Sequence, residues 1–74
     1  MPEQHLVFSI AYSRESDGRY IAEIAELPEV LPAYGDTEIE ARRHVMALAF
    51  YWLAHRIDDG NTDISPSTIE FKAA

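Results

Sequence analysis

Between residues 6 and 12 the chain alternates: Leu6, Phe8, Ile10 and Tyr12 fall on one side, with Val7, Ser9 and Ala11 between them. Period-two alternation carrying β-branched and aromatic residues predicts a strand. The polar run Ser13-Arg14-Glu15-Ser16-Asp17-Gly18 closes on an Asp-Gly pair, which suits turn positions with positive φ. Alternation resumes over 19–25, with Tyr20, Ala22 and Ile24 on one face and Ile21 opposite, so the two strands should form a hairpin. Residues 26–32 contain two prolines, each lacking a backbone donor, and read as a loop into a short third strand over 31–34. Gly35-Asp36 punctuates it.

Thr37-Glu38-Ile39-Glu40 has the form of a capping box, in which Thr37 accepts from the third helical amide and Glu40 reaches back. Glu38 and Glu40 also favour the positive end of the helix dipole. The helix predicted from there runs to about Ile57 or Asp58, with Gly60 as its stop. Residues 61–67, which include Pro66, read as a loop, and Thr68-Ile69-Glu70-Phe71 as a short final strand. The order β-β-β-α-β predicts an α+β fold: an antiparallel sheet with one helix packed on one face. No repeat, linker or low-complexity tract interrupts it.

Within the helix, Ala41, Val45, Leu48, Ala49 and Trp52 form one stripe at the spacing of a buried face, and Ile39, Met46, Phe50, Leu53 and Ile57 form a second. A helix lying on one sheet needs only the first. Here apolar residues surround the axis from Val45 to Ala54, as in helices buried on more than one side. Single exposed apolar residues are common on monomers, but large ones adjacent to one another mark a contact. Met46, Phe50, Leu53 and Ile57 are therefore expected to meet another copy of the chain.

Length and charge narrow the picture. Seventy-four residues make one domain over 1–74, with too little chain to cover both sides of such a helix. There are no cysteines, which excludes a disulfide framework, a thiolate zinc site and a thiol nucleophile. Thirteen acidic residues against six basic ones give a formal net charge of -7. A chain of that sign repels nucleic-acid phosphates and anionic membrane surfaces and attracts a basic protein. No positively charged segment followed by an apolar run opens the chain. The stretch Val45 to Ala54 is about half of the roughly 20 residues that span a bilayer. A soluble, cytoplasmic protein is expected.

Candidate chemistry is sparse. Of the three histidines, His5, His44 and His55, the last two share a helix face but lie roughly 16 Å apart along its axis, too far to bind one metal ion. They are expected to be solvated. Gly18, Gly35 and Gly60 each fall at an expected turn and need no ligand. No helical His-Glu-x-x-His, Gly-x-Ser-x-Gly or phosphate-cradling glycine loop occurs. The carboxylates offer more: Glu23 projects from the second strand, Glu26 and Glu29 lie in the loop after it, and Asp36 precedes the helix. Converged at a strand end they could hold Mg²⁺, as in two-metal nucleases. Spread apart, they form a solvated acidic rim. Nothing in the spacing forces convergence, so no metal or other cofactor is expected.

In their order along the chain these features resemble one family. The Asp-Gly turn, Tyr20-Ile21-Ala22-Glu23, Leu27-Pro28, Gly35-Asp36-Thr37, a helix entered by Glu40-Ala41, and Pro66-Ser67 are similar to the pattern of the HicB-like antitoxins, over roughly residues 6–67. Glu29-Val30 departs from the Gly-Cys that the family carries after Leu-Pro, and the loop to Gly35 is slightly longer. Many members continue into a helix-turn-helix or ribbon-helix-helix module that binds DNA; no C-terminal module of that kind is expected here. The resemblance implies a partly degraded RNase H-like core without hydrolase activity. It also implies a partner, HicA, a small basic mRNA-cleaving toxin whose active site such a domain covers. The charge balance points independently to a basic partner.

The expected function is therefore non-enzymatic: a homo-oligomeric protein-interaction module with no direct contact to nucleic acid or membrane. Its partner-binding set would be Glu23, Glu26, Glu29 and Asp36, and its oligomer contact Met46, Phe50, Leu53 and Ile57. Two other readings stand beside it, a residual Mg²⁺-dependent nuclease on an RNase H-like scaffold and a purely structural homo-oligomer.

Overall fold

A computed structural model describes residues 4–60 and 64–74, so residues 61–63 of the expected loop lie outside the described residues. The elements are β1 (His5–Arg14), β2 (Tyr20–Ile24), β3 (Ala33–Gly35), α1 (Glu38–Asp59) and β4 (Thr68–Ala73). They build an α+β fold in which one four-stranded sheet, ordered β3-β2-β1-β4, carries α1 on one face.

The sheet is mixed rather than antiparallel. β1 pairs antiparallel with β2, and β2 with β3, but β4 runs parallel to β1, with Leu6 opposite Ile69 and Phe8 opposite Phe71. Connectivity is the cause: β3 runs parallel to β1, and the helical crossover through α1 delivers β4 in that same direction. β1 extends beyond the expected 6–12 because it pairs on both sides, with β4 along His5–Ile10 and with β2 along Ile10–Arg14. β3 starts at Ala33 and not at Leu31, since Pro32 has no amide hydrogen to give to a ladder.

The alternation of β1 and β2 points Phe8, Ile10, Ala22 and Ile24 at the helix, which answers with Ala41, Val45, Ala49 and Leu53. This buried stripe corrects the expected one. Leu53, placed by its spacing with the outer residues Met46, Phe50 and Ile57, is only 3% exposed, whereas Leu48, expected inside, is 38% exposed. A strict four-residue interval advances about 40° around the axis at each step. Such a stripe winds slowly round α1, as a helix crossing twisted strands requires. Small residues at Ala41 and Ala49 let it lie close to the sheet.

That closeness is set at one place. A Cβ built on Gly35 would stand 2.5 Å from the backbone nitrogen of Ala41 and 2.8 Å from the Cβ of Glu40, so only glycine lets the first turn of α1 rest on β3. Gly35 therefore serves a helix–strand contact rather than a turn, unlike Gly18 and Gly60, whose φ values are 94° and 67°. Around this contact, Thr37 caps the helix by accepting from the Glu40 amide at 3.1 Å. His44 Nδ1 donates to the Tyr34 carbonyl at 2.7 Å, tying α1 to β3 a second time. Gly60 closes the helix in the left-handed conformation.

Gly35→Ala is expected to cost about 1–3 kcal/mol, because the new methyl group meets backbone rather than a yielding side chain. Gly18→Ala, with open space around it and only its φ to strain, should cost about 1 kcal/mol. Urea unfolding of the two variants checks this; a Gly35 variant no less stable than the Gly18 variant would contradict the contact.

Candidate interaction surfaces

On the sheet face turned away from α1, the outward positions include Val7, Ser9 and Ala11 of β1, Ile21 and Glu23 of β2, Tyr34 of β3, and Thr68, Glu70 and Lys72 of β4. Ala11 stands opposite Glu23, Val7 opposite Glu70, and Ser9 opposite Lys72.

Glu26 joins this face from the loop. Its Oε1 accepts from the Ser9 amide at 2.7 Å and its Oε2 from the Ser9 hydroxyl at 2.9 Å. The ladder between β1 and β2 has just ended there: the Ala25 amide donates to the Ser9 carbonyl at 3.2 Å. The carboxylate then supplies the acceptor that a longer β2 would have offered to the Ser9 amide. These bonds hold the Glu26 carboxyl below the ordinary range, the amide of Ser9 acting most strongly, then its hydroxyl, with a smaller contribution from Lys72 against a desolvation cost. Sequence reasoning missed this pair. Ser9 is the one aliphatic hydroxyl in the alternation of 6–12, which is the available signal, but no motif or period links it to a residue 17 positions on.

The expected acidic set divides. Glu23 and Glu26 share the outer sheet face, and Glu29 sits exposed in the turn that the Val30 amide closes onto the Leu27 carbonyl, with Leu27 buried as its anchor. Asp36 is elsewhere. It follows Gly35, which pairs with Tyr20, at the opposite end of β2 from Glu26. The length of β2, about 13 Å at 3.3 Å per residue, therefore separates them. Among the described residues no three His, Asp or Glu side chains gather in an arrangement that could hold a metal ion. Two of the histidines expected to be merely solvated make bonds: His44 to Tyr34, as above, and His5 Nδ1 to the Thr68 hydroxyl at 2.6 Å.

A second surface lies on α1. Of the expected oligomer residues, Phe50 and Ile57 are exposed, Met46 is half-buried, and Leu53 belongs to the core. Tyr51, 71% exposed, and the exposed Ala47 and Ala54 were not in that set and complete the outward side. Phe50 leans one edge on Phe71, at 5.7 Å between ring centroids, and leaves the rest of its ring uncovered. A shallow open depression beside it is lined by Tyr51, Ala54, His55, Ile57 and Asp58. No helix among the described residues is long and apolar enough to cross a membrane.

Comparison of this chain with protein-family models, with curated proteins and with solved structures gives no match.

The Ser9–Glu26 bonds predict a pH dependence of defined sign. A carboxyl held low in the folded state contributes stability that is present above its unfolded pKa and is lost as pH falls through the depressed folded value. Glu26→Gln should therefore flatten the loss of thermal stability between about pH 5 and pH 3. The difference should stay below about 1 kcal/mol because the group is exposed. Melting curves that coincide with those of the unmodified protein at every pH would contradict it.

Proposed function

We propose that this domain is a non-enzymatic protein-interaction module of the HicB type, which binds its own copies and a small basic partner such as a HicA-like mRNA-cleaving toxin. The observation that carries the reading is the spread of its carboxylates. They stand at exposed positions along β2, the loop after it and β4, rather than gathered at one point. A protein that grips RNA does so with Lys and Arg. Carboxylates set at intervals across an accessible face compete with phosphates for those same side chains and fix the orientation of the encounter. Within the set, Glu23 and Glu29 present the contact, while Glu26 holds the loop to β1 through Ser9 and adds charge. Asp36, at the far end of β2, meets a different part of the partner.

The resemblance of the ordered motifs to the HicB-like antitoxins, together with the net charge of -7, supports the same kind of partner. Co-expression with the product of the neighbouring reading frame, which this reading expects to be small and basic, tests it. The two should co-purify, and Glu23→Lys with Glu29→Lys should weaken their binding at least tenfold, about 1.4 kcal/mol. Unchanged binding after that charge reversal would reject the surface. RNA cleavage by the isolated domain that disappears on Glu23→Gln would reject the non-enzymatic reading.

A further inference from the structure

We infer that two copies of this chain pair α1 against α1, antiparallel, about a centre between Phe50 and Tyr51. The inference deepens the self-association part of the proposed function and names its surface, direction and register.

The helix side opposite the buried stripe follows from geometry. At about 100° per residue, the direction facing the core lies between Val45 and Ala49, and Ala47 and Ala54 point almost directly away from it. Phe50 and Ile57 follow those alanines at three-residue offsets, so small and large apolar residues repeat with a seven-residue period along an exposed seam. That is the period of paired helices, and alanines facing a partner allow the two backbones to come close. Apart from the edge of Phe50 that rests on Phe71, no other part of the described chain covers this side, since the sheet occupies the opposite one.

Charge selects the occupant and its direction. Arg43 and Asp58 close the two ends of the seam, and neither has an ion-pair partner among the described residues. In a parallel pair Arg43 would face the partner's Arg43, and Asp58 the partner's Asp58. In the antiparallel pair Arg43 reaches the level of the partner's Asp58, and the same contact recurs at the other end by symmetry. The same register sets Ala47 opposite the partner's Ala54 and brings the partner's Phe50 against the depression beside Tyr51. The seam is thus complementary to itself, in apolar shape and in charge, in one direction only.

Sedimentation equilibrium should show a dimer. Arg43→Asp, a substitution at an exposed position, should weaken it at least about tenfold while circular dichroism stays unchanged, and adding Asp58→Arg should restore it. Because the chain has no cysteine, register can be read directly: Ala47→Cys protein mixed with Ala54→Cys protein should form a disulfide-linked pair. Neither variant alone should cross-link efficiently, since identical positions lie roughly 10 Å apart along the axis and a disulfide needs about 4 Å between Cβ atoms. A monomeric chain, a dimer indifferent to Arg43→Asp, or equal cross-linking by the single variants would overturn the inference. Co-purification of the basic partner is scored on the same variants, so failure of the helix pairing is distinguished from failure of the partner reading.

Discussion

The contact between Gly35 and the first turn of α1 decides how the rest of the molecule is arranged. Because no side chain intervenes, Ala41 lies on the sheet, and once it does the four-residue interval carries Val45, Ala49 and Leu53 inward after it. The rotation of the helix about its own axis is then fixed. A helix with apolar residues on every side could rest on a sheet in several settings of nearly equal burial. The glycine, the Thr37 cap and the bond from His44 to the Tyr34 carbonyl remove that freedom at one end. What is left outward follows from the same contact: Ala47, Phe50, Tyr51, Ala54 and Ile57 are uncovered because Ala41 is covered.

Both proposed contacts of this domain use faces that the fold leaves open. A single sheet with one helix has two, the outer side of the sheet and the outer side of the helix. Small residues on β1 keep the first shallow, and the carboxylates of Glu23 and Glu26 give it a sign. The second is apolar with opposite charges at its ends. A basic partner on one and a second copy on the other would not compete for the same surface, so a dimer could hold two partners at once.

How much of this was legible in the sequence depended on whether the information was local. The β1–β2 hairpin, the Thr37 cap and the Gly60 stop each rest on residues a few positions apart, and each stands where the pattern placed it. The direction of β4 is not encoded in Thr68–Ala73. It comes from the crossover through α1, so an antiparallel sheet was a natural but mistaken expectation. Leu48 and Leu53 exchanged places because both fit an apolar stripe, and only the setting at Gly35 separates them. The Ser9–Glu26 bond joins residues far apart in the chain at the point where a ladder runs out. Asp36 lies near Glu29 in the sequence, which suggests grouping the two, yet they stand at opposite ends of β2.

In the proposed pairing a second copy covers the outward side of α1 in solution, and small-angle X-ray scattering tests this without altering the molecule. A single chain has a mass of 8.4 kDa and a Cα radius of gyration of 13.4 Å. A paired chain should give forward scattering corresponding to twice that mass and a radius of gyration clearly above that value, with the sheets on the outside of the particle. Scattering from a particle of one chain's mass and radius, at concentrations well above micromolar, would contradict it.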